Sequence, residues 1–328
     1  MEESQIWVQI TTLPTNLAFQ TVVSLNGDKW DVAITGNAVR ATSRRTYLLP
    51  DTGFDERDRA IRDTMNQIVG HLRNLGCFAL DLDMRWDYEG GYSGTHILES
   101  GMPFPSIHQS GMSTTYSDAI VERGQRIIDD VKSGRKRGLK SMLNYWRRAC
   151  ELDNLGFDSE AFLNYFKVFE CMAELNTNDV AKRAILNRFC PGGKPQTTLC
   201  KRFGAKTKAE QDNLCRQIKF LAKALAAAGI SEKLSRGLFV TALSFVYMRH
   251  GWNVAHKLVR SNPYDQYRAI GQHSDEFSLV MIENLYISKI SKLMILLYVR
   301  PGRYELHSVG GSPMVVPTKG RGSIKHGK

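Results

Sequence analysis

The stretch DSEAFLNYFKVFECMAEL, residues 158–175, decides how the second half of the chain folds. Asp158 and Ser159 are good helix N-caps, because their side-chain oxygens accept from N–H groups that the first helical turn leaves unpaired. Phe162, Tyr165/Phe166, Phe169 and Met172/Ala173 then recur at the helical period, so one aromatic stripe must be buried against neighbours. Similar periodicity on either side predicts helices over about 116–132, 137–153, 178–189, 208–228, 231–258 and 274–299.

Toward the N-terminus the pattern changes. IWVQITTL (6–13), FQTVVSL (19–25) and KWDVAITG (29–36) are short and β-branched, and Asn26-Gly27 between two of them is a hairpin signal. A helix is expected over 55–75, stopped by Gly76, then a strand over CFALDLDMRW (77–86). Residues 88–114, rich in Gly, Ser and Pro, read as a linker. The fold class is therefore α+β: a small N-terminal α+β domain (1–113), an all-α helical bundle (115–299) and a basic flexible tail (300–328).

The charge is divided in the same place. The net charge is +11, yet residues 1–113 hold nine Lys/Arg against fourteen Asp/Glu. The basic surplus belongs to the second part and favours a polyanionic partner. Within it, residues 190–208 hold Lys194, Lys201, Arg202, Lys206 and Lys208 with no acid. GGKPQT in that segment lacks the spacing of a phosphate loop, and GYSGT (91–95) is not a nucleophile elbow because it ends in Thr. SLVMIENLYISKISKLMILLYV (278–299) reaches spanning length but carries Glu283, Asn284, Lys289 and Lys292. It reads as a buried amphipathic helix, so no membrane partner is expected. MEESQIWVQI has no leader pattern, which predicts a cytoplasmic protein. The six cysteines form no C-x-x-C pair, a chain of this length needs no disulfide staples, and Cys190, Cys200 and Cys215 match no standard zinc spacing. Cys150 and Cys171 are expected as buried thiols, and neither metal nor cofactor is expected.

RHGWNVAH (249–256) follows the apolar run LFVTALSFVYM (238–248). On a continuous helix Arg249, Asn253 and His256 share a face, with rises of about 6 Å and 4.5 Å between them. The bare spacing R-x(4–6)-H recurs at Arg268/His273, Arg300/His307 and Arg321/His326, but only the first continues an apolar helix. A rigid element thus presents a guanidinium fork and a group that titrates near pH 6.5 (about, as a free side chain) together.

An all-α region ending in an apolar helix, then R-polar-x(5)-H, a short polar connector and a closing amphipathic helix, resembles the HEPN superfamily over roughly residues 137–299. YFKVFE (165–170) is similar to the aromatic-rich helix ending in Glu of MauJ-type and ApeA-type members. His250 stands where the commonest form of the motif has Asn or Asp. The resemblance implies a bundle of four or five helices that forms a homodimer, and a metal-independent endoribonuclease acting as a toxin or antiviral-defence effector. In that reading His256 moves the proton of the 2′-OH or of the leaving 5′ oxygen, and Arg249 pairs with the scissile phosphate. His250 or Asn253 orients phosphate or imidazole, and Glu170 holds Arg249. The five cations of 190–208 contact the RNA backbone without reading sequence. The alternative is a noncatalytic nucleic-acid-binding or protein-interaction module. The acidic N-terminal part is then a place for a regulatory ligand or protein.

Overall fold

Alternation in the first fifty residues builds a sheet. The computed structural model describes residues 2–12, 18–49, 54–80, 84–92, 95–99, 118–132, 135–154, 157–175, 179–230, 235–251, 276–309 and 312–318. It divides into two units, Met1–Phe157 and Asp158–Lys328. In the first, β1 (Glu2–Thr12), β2 (Ala18–Leu25), β3 (Asp28–Thr35), β4 (Ala38–Leu49), β5 (Met84–Tyr92) and β6 (Thr95–Glu99) form one sheet in the order β2-β3-β4-β1-β5-β6. All neighbours are antiparallel. The expected hairpin is present: Asn26 and Gly27 both take positive φ, 51° and 92°, as a two-residue turn matched to strand twist requires.

One face of the sheet is the core. Ile6, Val8 and Ile10 of β1, Trp30, Val32 and Ile34 of β3, and Val39 and Ala41 of β4 are all buried. β4 also buries Ser43, at the place where the β1–β4 register shifts between Gln5 and Trp7. The Ile6 N–H donates to Ser43 Oγ at 3.0 Å, and Ser43 donates to the Arg45 carbonyl at 2.8 Å. A polar residue thus closes the gap that the bulge opens in the ladder.

The helix α1 (Phe54–Leu80) lies on this face, packed on β1, β4 and β5. It runs four residues past the expected stop at Gly76, and the strand expected over 77–86 begins only at Met84. The apolar run Phe78-Ala79-Leu80 belongs to a helix end enclosed by two further helices, α2 (Asp118–Val131) and α3 (Leu139–Asn154). A short apolar run carries no period, and here helical enclosure explains it. The expected linker is also corrected in part, because 88–92 belong to β5 and 95–99 to β6. Gly90 has a packing reason: a Cβ there would overlap the Met65 methyl of α1 and lie 2.9 Å from the Trp7 carbonyl oxygen.

α2 and α3 pack on α1, so the first unit extends to Phe157 instead of ending near residue 113, and the helix expected to open the bundle belongs to it. Phe78 meets Trp146 edge to face at 5.1 Å. Asn74 donates to Asn144 at 2.5 Å and accepts from Arg147 Nε at 2.8 Å, tying α1 to α3 through satisfied polar groups. His71 is 6% exposed and its Nε2 lies 3.2 Å from the Lys132 carbonyl at the end of α2. Burial holds its imidazole below the usual range; the Lys132 carbonyl opposes this and the Lys140 charge adds to it.

A pH dependence follows. A histidine with a depressed folded pKa leaves stability whole above its unfolded value of about 6.5, and stability falls as pH drops below that toward the folded value. His71→Gln keeps an N–H donor and removes this proton uptake. The urea midpoint of the parent should therefore fall more between pH 7.5 and 5.5 than that of the variant. Parallel midpoints in the two proteins would show that His71 is not linked to stability.

In the second unit the opening stretch is the helix α4 (Asp158–Glu174), and its aromatic stripe is buried as expected. After it come α5 (Asp179–Phe189), α6 (Thr197–Arg202), α7 (Lys208–Ala227), α8 (Arg236–Gly251) and α9 (Glu276–Val299), with α4 packed on α7, α8 and α9, and α5 packed on α7. α7 starts in a capping box, where Thr207 and Glu210 satisfy each other's backbone N–H groups. Ile287, Ile290, Leu293, Met294, Ile295 and Leu296 of α9 are buried, and so are Ser291 and Lys292. A hairpin, β7 (Tyr304–Val309) and β8 (Ser312–Pro317), packs on α9. The segment expected as a flexible tail therefore contains a hairpin through Pro317, anchored by Tyr304 and Val315. Among the described residues no helix is long and apolar enough to cross a membrane.

Candidate functional site

Phenylalanines set the distance between α4 and α8. Phe245, fully buried, meets Phe162 at 6.3 Å and Phe169 at 6.4 Å, both edge to face. Each helix places a charged residue next to this contact. Glu170 directly follows Phe169, and Arg249 stands one turn after Phe245. Arg249 Nε lies 3.7 Å from Glu170 Oε1, with side chains 19% and 26% exposed. That is ion-pair distance and longer than a hydrogen bond. The other carboxylate oxygen, Oε2, takes Lys167 Nζ at 2.7 Å. Two residues singled out from sequence 79 positions apart are thus neighbours.

The other motif residues are reached only in part. His250 lies on α8, and its side chain, Asn253 and His256 are outside the described residues, as are Arg268 and His273. Arg300 is exposed just after α9 and His307 falls on β7, so that pair does not share a helix.

The basic segment is held beside the same end of α8. Lys194, Lys201, Arg202, Lys206 and Lys208 are all exposed, while Leu199, Phe203 and Ala205 between them are buried. Phe203 packs on Tyr247 of α8 with ring centroids 5.5 Å apart, two residues before Arg249. Burial, then the Glu210 charge, pushes the Tyr247 hydroxyl above its usual range. Glu210 itself is held low by the N–H groups of Thr207 and Lys206. One of the few carboxylates near these cations is thus kept ionised by its capping role.

Sequence reasoning missed one feature. Cys190 and Cys215 are joined in a disulfide, tying the end of α5 to α7. Cys77, Cys150, Cys171 and Cys200 are free and half-buried, and burial pushes the Cys171 thiol up. Three cysteines within 26 residues were visible in the sequence, but pairing cannot be read from spacing alone. Among the described residues no cluster of three or more His, Cys, Asp or Glu is arranged to hold a metal ion. No protein-family model, no curated protein and no solved structure matches the chain.

Proposed function

We propose that this chain is an endoribonuclease of the HEPN type, active as a homodimer, with Arg249 and His256 as its chemical groups. The observation that carries the reading is the approach of Arg249 to Glu170, because it holds a guanidinium at the end of a buried helix. Glu170 engages Nε, and the two terminal nitrogens are those that pair with a phosphate. His256 would take the 2′-OH proton or return one to the 5′ oxygen as the P–O bond breaks. One imidazole per chain and two proton transfers per cleavage favour a two-fold assembly of such motifs. The exposed cations of 194–208, beside Tyr247, supply backbone contacts that ignore sequence. Attack by the neighbouring 2′-OH needs no activated water, so no metal is required in this scheme.

The test is a gel of total RNA incubated with the purified protein, with and without EDTA. Fragments with 2′,3′-cyclic phosphate ends in both lanes are expected. Intact RNA, together with binding that weakens steeply with salt, would replace this reading by a noncatalytic RNA-binding module, for which the same exposed cations suffice.

A further inference from the structure

The disulfide encloses the basic segment. Lys194, Lys201, Arg202 and Lys206 all lie between Cys190 and Cys215: Lys201 and Arg202 end a six-residue helix too short to hold its own shape, Lys194 directly follows a 3₁₀ turn, and Lys206 lies in a loop. From Ala181 to Ile230 there are eleven Lys/Arg against two Asp/Glu, so this is where phosphate attraction is concentrated. Apolar anchoring of the enclosed segment is thin, resting on Leu199, Phe203 and Ala205. The covalent tie is its strongest constraint. The sulfur of Cys215 also lies 3.0 Å from the Gly193 carbonyl oxygen. In the disulfide that sulfur has no proton to give. As a thiol it has one, and an acceptor is already in place, so reduction leaves no buried S–H unsatisfied at Cys215.

We propose that Cys190–Cys215 is a reversible thiol–disulfide clasp that sets the shape of this basic surface for a single-stranded RNA backbone. The proposal rests on the RNA reading above and adds a control to it. The switching step is exchange with a dithiol reductant. A reductant thiolate attacks one sulfur, the Cys190–Cys215 bond breaks, and a mixed disulfide forms. The second reductant thiolate then closes on the first. Two electrons pass to the protein, which gains two protons as Cys190 and Cys215 become thiols, and the reductant leaves as its disulfide. Closed, the clasp presents the cations as a fixed array; open, they must be ordered at the moment of binding, which weakens it. Both sulfurs belong to residues only 4% exposed, so exchange requires local opening and is slow.

The experiment uses the full chain, equilibrated with glutathione disulfide or with dithiothreitol and then assayed at one salt concentration. Thiol titration in denaturant should count four thiols in the first form and six in the second. Fluorescence anisotropy with a labelled 30-nucleotide poly(U) should show about 5- to 20-fold weaker binding after reduction, within the range that ordering a few side chains costs. Limited trypsin digestion should cut after Lys201, Arg202 or Lys206 faster in the reduced form. Cys190→Ser with Cys215→Ser should match the reduced protein in both buffers, and Cys200→Ser should match the parent in both. Six thiols after glutathione disulfide, or equal RNA affinity in the two forms, overturns the clasp and leaves the RNA reading standing. No RNA binding in either form overturns both.

Discussion

Arg249→Ala and His256→Ala are each expected to lower RNA cleavage by about 10²–10⁴-fold, the usual loss when a general acid–base or a charge-stabilising group is removed. The motivation differs for the two. Arg249 is positioned by Glu170 and by the Phe169–Phe245 contact. His256 follows on the same chain segment seven residues later, outside the described residues. The Arg249 side chain is partly exposed, outside the buried aromatic core, so thermal unfolding of Arg249→Ala should shift little. Glu170→Gln should give a smaller loss than Arg249→Ala, because it loosens the guanidinium without removing it, and Lys167 remains beside it. The double variant Arg268→Ala, His273→Ala carries the same spacing without the apolar helix and should keep its activity. Parent-like cleavage by His256→Ala would end the catalytic assignment, and so would an Arg249→Ala protein that is inactive only because it has unfolded.

Phe245→Ala should destabilise the second unit by about 3–5 kcal/mol, the range for deleting a fully buried aromatic ring. The ring is 0% exposed and is held between Phe162 and Phe169. Its removal leaves a cavity where α8 meets α4, and Phe166, stacked between Phe162 and Phe169 and 5.9 Å from Phe220, cannot fill it without leaving those contacts. Phe245→Leu should cost less, because most of the volume is retained. Urea unfolding reads both. A loss under about 1 kcal/mol for the alanine variant would mean that the cluster does not hold the two helices together.

Much of the fold was readable because the periods are clean. The helices at 116–132, 137–153, 158–175, 178–189 and 208–228 lie within a few residues of α2, α3, α4, α5 and α7. β4 escaped notice because its inward positions are Val39, Ala41 and Ser43, two of them small or polar, and a bulge needed the serine hydroxyl. β5 was expected only as far as residue 86, because Gly90 beyond it serves helix packing and a glycine-rich strand reads as a loop. The helix expected at residue 137 was assigned to the wrong unit, since which apolar face meets which is a tertiary fact and α3 pairs with α1 through Asn74, Asn144 and Arg147. At the candidate site, sequence spacing offered Arg249 and the resemblance offered Glu170. Their distance depended on two phenylalanines whose partnership no local pattern encodes.

β1 is the earliest of the six strands in the chain and lies between β4 and β5. Its pairing with β4 can form once residue 49 is available, but its other edge waits for β5, which begins at Met84, with all of α1 in between. Until then β2, β3, β4 and β1 make a sheet whose open edge is β1, with Ile6, Val8 and Ile10 uncovered until α1 docks. That interval is set by loop closure across α1 and is long compared with hairpin formation. A nascent or refolding chain is therefore expected to expose a bare apolar strand edge before β5 joins, the kind that pairs with a second chain. Losses of soluble protein during refolding should then scale with chain concentration, even if the finished fold is stable.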